Sequence, residues 1–394
     1  MRSEENWGLL GMKYNTYMIG DICTFIDYRG KTPPKTSSGI PLITAKIIKN
    51  NVIQEPKEFI DESFYDEWMR RGIPKKGDIV FTTEAPLGEV ARITSDSKMA
   101  FAQRVIILEP NEEILDASYL FYALQDRLLK NRILARSSGT TVFGIKSKEL
   151  KKVEIDLPCL KIQKKISNVL LAIDEKISIN NLINDNLQAQ AFALYSKMII
   201  DNADDTWTPG VLSDIAEITM GQSPKGDTYN EDGIGTVFFQ GRAEFGFRFP
   251  TRRLCTTDPK RMAQTNDALM SVRAPVGDMN VAYEDCCIGR GLAAIHSKDN
   301  HQSYVLYTMF NIREQLNVFN GEGTVFGSIN KDSLNAMPII IPPTNVIDAF
   351  EEIVAPMDKA IRSNYEEICH LTNIRDSLLP RLMSGELNVT ELSI

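Results

Sequence analysis

Histidine and cysteine are scarce in this chain of 394 residues, which has three of the first and six of the second. The cysteines, at 23, 159, 255, 286, 287 and 369, form no CxxC pair and no regular spacing, so neither a disulfide framework nor a zinc ribbon is encoded. Cys286-Cys287 has no histidine at ligand spacing, and no metal site is expected. Long apolar runs are scarce as well. VLLAI at 169–173 falls far short of the roughly 20 residues of a membrane span, and MRSEENWGLLGM has no leader-like apolar stretch. A cytoplasmic protein without membrane contact is expected. Nor is there an excess of positive charge: 44 Lys+Arg face 52 Asp+Glu, net −8, unlike the basic footprint usual in a nucleic-acid binder.

Catalytic motifs are missing too. GKT at 30–32 ends like a phosphate-binding loop, but that motif needs a glycine five positions earlier, where Phe25 stands. No GxGxxG follows a strand, and HExxH, GxSxG and the (Asp/Asn)-Pro-Pro-(Tyr/Phe) tetrapeptide of amino-methyltransferases do not occur. The sequence shows no active site and implies no cofactor held by this chain.

What is present is enough apolar material, 43% of residues, for two or three domains. Charge is uneven along them. Residues 17–158 carry 21 basic and 20 acidic groups, whereas 343–394 carry 4 and 9. An uneven distribution says more about partners than the total does.

The chain also repeats itself. TVFG at 141–144 recurs at 324–327, and other matches follow in the same order at similar offsets. RGKTP (29–33) answers to MGQSP (220–224), Gly77-Asp78 to Asn266-Asp267, and EAPLGEV (84–90) to RAPVGDM (273–279). Arg104 pairs with Arg290, YLFYAL (119–124) with YVLYTM (304–309), and Asp174 with Asp358. One unit of roughly 190 residues has been duplicated and has diverged.

Within each unit, short apolar runs broken by Gly, Pro and Asn, such as GDIVFTT and RVIILEP, predict strands and turns. A helical patch is expected at 118–135 and a closing strand at VEIDLP (153–158) or MPIIIPP (337–343). The apolar period then changes to three-four. Ile166, Val169, Ile173, Ile177, Leu187, Ala191, Leu194 and Met198 form one stripe, which Asn180 and Asn184 should interrupt. Phe350, Ile353, Met357, Ile361, Tyr365, Ile368, Leu371, Leu378 and Leu382 form the other, in which Pro356 should break the helix. Such narrow seams suit a coiled-coil partner; the alternative is that each helix packs on its own domain.

Each unit carries a polar loop of phosphate-seeking and base-reading types. In the first these are Arg29, Lys31, Thr32 and Lys35; Lys46 follows in the next segment, Thr140 precedes Phe143-Gly144, and Arg104, like Arg290, stands just before an apolar strand as a structural cap or a DNA contact. In the second they are Gln222, Ser223 and Lys225, then Gln240, Arg242, Arg290 and Thr324. Lys and Arg neutralise phosphates, while Arg, Gln, Ser and Thr can bond base edges. A solvated surface loop has the same composition.

Two such units, with the opening IGDICTFIDYRGKTP, the ending GTTVFGIKSKELKKVEIDLP, the helix start QKKISNVLLAIDEKI and the terminal LLPRLMSGEL, resemble the DNA specificity (S) subunits of type I restriction-modification systems. The resemblance covers about residues 17–387. It implies an α+β (mixed α/β) fold of two tandem target-recognition domains separated by two long antiparallel coiled-coil helices, with a pseudo-twofold internal repeat. The implied boundaries are an extension at 1–16, recognition domains at 17–158 and 209–342, spacer helices at 159–200 and 343–387, a linker at 201–208 and a tail at 388–394. It further implies a non-catalytic subunit that reads an asymmetric bipartite target in double-stranded DNA. Two modification subunits, which use S-adenosylmethionine to methylate adenine, and the restriction subunits would dock on it. The alternatives are a subunit or stand-alone enzyme of a related restriction-modification type, and a coiled-coil scaffold that does not bind DNA.

Overall fold

A computed structural model describes residues 5–7, 13–30, 32–139, 141–321 and 327–389. The chain divides into two compact units, Met1–Ile179 with Glu367–Ile394, and Asn180–Glu366.

In the first unit, strand Lys13–Met18 pairs antiparallel with Glu154–Leu157, so the beginning and end of the sheet-rich part are joined. That strand crosses the boundary expected between 16 and 17. The central sheet has strands β1 (Cys23–Asp27), β2 (Ile79–Thr83), β3 (Leu87–Arg92) and β4 (Val105–Pro110), antiparallel in the order β1-β4-β2-β3. Both faces are covered, which is why β2 and β4 read as continuous apolar runs. Ile79 and Phe81 of β2, with Ile106 and Leu108 of β4, face a core built on Tyr119, Leu120 and Ile166. Val80, Val105 and Ile107 face a second core with Leu42, Ile43 and Phe101. Alternate residues thus serve opposite cores, as the two-residue period of a strand requires. Under the second core a smaller sheet sets Ile40–Ile43 parallel to Ala100–Phe101. The expected helical patch is two helices, Ala117–Ala123 and Arg127–Ala135. The side chains of Asp116 and Asp126 cap them, accepting from Tyr119 N and Leu128 N.

The second unit repeats this plan. Strands β5 (Ala216–Met220), β6 (Ala268–Ser271), β7 (Met279–Val281) and β8 (Leu292–Ser297) lie in the order β5-β8-β6-β7, all antiparallel. Thr208–Val211 pairs with Pro338–Ile341, and Thr236–Phe239 runs parallel to Cys286–Ile288.

Two long helices follow the closing strands, α1 (Leu160–Tyr195) and α2 (Thr344–Met383). Within the first unit the start of α1 runs antiparallel to the end of α2: Lys176 meets Glu367 at 3.3 Å and Asp174 meets Arg375 at 2.9 Å. The second unit has the same relation, with Asn184 bonded to Asn364 and Tyr195 edge-on to Phe350. The segments also pack on their own sheets, through Ile162, Ile166 and Leu170 in one unit and Tyr195, Phe350 and Val354 in the other. The two alternatives for the seams therefore coexist.

Two expectations about these helices are corrected. Pro356 does not break α2, which is continuous over 40 residues. Buried Val354 and Ile361 anchor the helix on either side, and tertiary packing of this kind outweighs one missing N–H. Asn180 and Asn184 do not interrupt the stripe of α1 but lie within it, buried, because three-four spacing carries it from Ile177 through both to Leu187. Asn184 Nδ2 reaches the Ile361 carbonyl at 3.4 Å and its Oδ1 accepts from Asn364 at 2.8 Å, which satisfies an amide in an otherwise apolar seam.

Among the described residues no helix is long and apolar enough to cross a membrane, and no cluster of three His, Cys, Asp or Glu could hold a metal ion.

Candidate functional site

In each unit the turn between the two adjacent strands, β2–β3 or β6–β7, is built residue for residue alike. Thr82 Oγ1 donates to the Pro86 carbonyl at 2.7 Å and accepts from Glu89 N at 2.9 Å. Ser271 Oγ does the same with the Pro275 carbonyl at 2.6 Å and Asp278 N at 2.9 Å. Both turns contain a cis Ala-Pro peptide, Ala85-Pro86 and Ala274-Pro275. Gly88 and Gly277 close them at φ of 84° and 90°, a region that only glycine enters without strain.

Beside each turn lies an open cleft. In the first unit it measures about 440 Å³ and is lined by Arg29, Glu84, Gln103, Arg104, Ser138 and Lys146, among others. In the second it measures about 360 Å³, with Gln240, Arg242, Glu244, Arg253, Arg273 and Arg290 in its wall. Among the described residues each wall thus holds three or four cationic side chains against one carboxylate. Arg29 is braced by Asp27 at 2.6 Å, and Arg104 Nε meets Glu84 at 2.9 Å. Burial alone would raise the Asp27 carboxyl. The hydrogen bonds and charge of Arg29, with the charge of Arg71, outweigh it and hold the carboxyl below the usual carboxylate range. In the second cleft Arg242 meets Asp278 at 2.7 Å and Arg253 meets Glu244 at 2.6 Å. Lys146, Arg273 and Arg290 have no carboxylate partner among the described residues. These ion pairs are partly solvent-exposed and fix where the guanidinium groups sit in the cleft walls.

Of the residues expected from sequence, Arg29, Arg104, Gln240, Arg242 and Arg290 line the clefts. Thr32 and Ser223 stand next to them in equivalent roles: Thr32 Oγ1 accepts from the Gln103 amide, and Ser223 Oγ accepts from Arg290 N at 3.2 Å. Lys35, paired with Glu58 at 2.7 Å, is outside the lining, as are exposed Lys46, Gln222 and Lys225. Lys31, Thr140 and Thr324 lie outside the described residues.

Strand register revises one equivalence. Thr82 pairs with Val105 and Ser271 with Leu292, so Val105 corresponds to Leu292. Thr83 N bonds the Arg104 carbonyl as Val272 N bonds that of Gly291. Arg104 therefore corresponds to Gly291, and Arg290 to Gln103. Sequence alignment paired the two arginines because they share identity one position out of register. TVFG is out by one in the same way, since Glu84 bridges to Gly144 whereas Arg273 bridges to Ser328.

Glu84, Gln103, Lys146, Arg253 and Arg273 were not singled out from the sequence. For Glu84 and Arg273 a signal existed: the repeated Ala-Pro-x-Gly turn is preceded by Glu in one copy and Arg in the other.

A family model of the type I restriction modification DNA specificity domain matches the chain twice, over residues 12–189 and 204–368. The chain is 29% identical over 381 residues to a protein of Methanocaldococcus jannaschii provisionally named the type I restriction enzyme MjaX specificity subunit, covering 90% of this chain and 89% of that protein. It is 25% identical over 387 residues to the MjaIX specificity subunit of the same organism, covering 90% and 88%. Among solved structures, the S subunit of a type I restriction-modification system from M. genitalium matches with a TM-score of 0.58 at 18% identity over 97% of this chain and 99% of the other, a likeness of fold.

Proposed function

The chain belongs to the type I restriction-modification DNA specificity family, and on that premise we propose that it is a non-catalytic subunit reading an asymmetric, bipartite target in double-stranded DNA, one half with each cleft. The observation that carries this reading is that one turn scaffold occurs twice while the side chains it presents differ. Equal folds with unequal reading groups recognise unequal half-sites.

The recognition domains are assigned to 17–158 and 209–342, and the spacer helices to 159–200 and 343–387. Arg29, Arg104, Gln240, Arg242 and Arg290 are the proposed DNA contacts within the clefts, with Thr32 and Ser223 supporting them. Lys31, Lys35, Lys46, Thr140, Gln222, Lys225 and Thr324 are proposed as flanking contacts. An arginine fork fits guanine O6 and N7, a Gln amide fits adenine, and lysine serves phosphate without regard to sequence. With a net charge of −8, the chain alone binds DNA weakly, and partners supply the remaining positive surface. Those partners are two modification subunits, one per repeated unit, and restriction subunits. S-adenosylmethionine belongs to the modification subunits, and methyl transfer takes place there. The acidic C-terminal helix then faces protein rather than phosphate.

The test is exchange of residues 17–158 for those of a relative with a different target, in the assembled modification complex, followed by methylome sequencing. One half of the methylated motif should change and the other stay. Change in both halves, or in neither, would refute the division of labour.

A further inference from the structure

The residue immediately before the cis Ala-Pro of each turn is Glu84 in one unit and Arg273 in the other, and the two are structurally equivalent. Thr82 and Ser271 match in their hydrogen bonds to Pro86 and Pro275, Gly88 and Gly277 match in positive φ, and both residues bridge to the segment before a shared isoleucine, Ile145 or Ile329. Both line their clefts. The charge is inverted between the copies, and the change is compensated across the cleft. Opposite Glu84 stands Arg104, which engages Oε1 at 2.9 Å, while the position equivalent to Arg104 is Gly291. The first cleft therefore presents a carboxylate held by a guanidinium from the residue just before the neighbouring strand β4, with no donor among the described residues on Oε2. The second presents a guanidinium that no carboxylate among the described residues engages, at a cleft where the position equivalent to Arg104 is a glycine.

Resting on the DNA-reading function above, we propose that this position is a specificity determinant of opposite sense in the two half-sites. Glu84, oriented by Arg104, accepts from the exocyclic amine of cytosine or adenine. Arg273 donates bidentately to guanine O6 and N7. A carboxylate has only acceptors and a guanidinium only donors, so neither can replace the other on the same base edge. A mere phosphate clamp would carry the same charge in both copies.

The experiment uses the full chain assembled with its modification subunits, in four variants: Glu84→Gln, Glu84→Arg, Arg273→Lys and Arg273→Glu. Methylome sequencing is combined with binding to oligonucleotides varied one base at a time. Glu84→Arg should reduce discrimination about 10- to 100-fold at one base pair of the first half-site, the range that one good bidentate contact supplies. Arg273→Glu should do so at one base pair of the second. Arg273→Lys keeps the charge but loses the fork, and should relax that position while binding persists. Uniform weakening on all sequences with a lower salt slope, or an unchanged base preference in all four variants, overturns the proposal while leaving the DNA-reading function intact. Absence of any methylated bipartite motif with the unaltered chain would instead overturn that function.

Discussion

The Tyr122 hydroxyl donates to the Asp174 carboxylate at 2.6 Å, and in the second unit Tyr307 donates to Asp358 at 3.1 Å. Each bond fastens the helix that follows the central sheet to the long helix beside it. A second, cationic partner completes each carboxylate: Arg375 at 2.9 Å in the first unit and Arg248, almost fully buried, in the second. Burial raises the pKa of both tyrosines, so both hydroxyls remain donors across the neutral range.

Tyr122→Phe and Tyr307→Phe should each destabilise the chain by about 1–3 kcal/mol, the cost of removing a buried hydrogen bond to a charged group. Urea unfolding should show a lower midpoint at unchanged slope. A midpoint equal to that of the unaltered chain would mean that water replaces the hydroxyl.

Asn184 and Asn364 form a polar contact inside the helical seam. Asn364→Leu alone strands the buried Asn184 amide oxygen and should cost about 1–3 kcal/mol. The double change Asn184→Leu with Asn364→Leu should recover much of this, because paired buried Asn residues trade stability for register. A double-mutant cycle with no coupling would show that the contact contributes nothing.

Asp27 titrates below the ordinary carboxylate range, so the fold favours its ionised form. Its stabilisation is complete above the unfolded value of about 4 and is lost as pH falls through the lower, folded value. The thermal midpoints of the unaltered chain and Asp27→Asn should therefore differ near pH 7 and converge as pH falls through the lowered, folded-state value of Asp27. A gap independent of pH would assign the effect to hydrogen bonding or packing.

Among the described residues Lys146 and Arg290 both lack a carboxylate partner, yet different losses are expected. Lys146→Ala should weaken binding to all sequences and lower the salt slope by about one, as for a phosphate contact. Arg290→Ala should cost about 1–3 kcal/mol and relax one base position. Identical behaviour of the two variants would remove the distinction between reading and clamping.

Several features were legible in the residues because they depend on local periodicity and backbone conformation. The duplication, the strand-rich units and the two long helices follow from alternation, turn residues and three-four spacing. Even the match of Gly77-Asp78 to Asn266-Asp267 has a local cause. Gly77 and Asn266 both take positive φ, and Asp78 and Asp267 each accept from the backbone N–H three residues earlier. Glycine and asparagine are the residues that tolerate this conformation. Composition likewise singled out Arg29, Arg104, Gln240, Arg242 and Arg290 as candidates.

Other features depended on pairing between distant segments. That Arg104 corresponds to Gly291 rather than Arg290 is set by which strand residues face Thr82 and Ser271, and a single-residue slip in alignment hides it. That Pro356 stays within a helix, and that Asn184 belongs to the seam, depends on what packs around them. Lys35 and Lys46 resemble Arg29 in the sequence but lie outside the cleft, because loop closure rather than residue type decides which side chains converge. Sequence by itself determined the repeat and the kinds of group available. Tertiary structure alone decided which of them share a cleft, because hydrogen-bond register across strands far apart in the chain is not encoded in the periodicity of either strand.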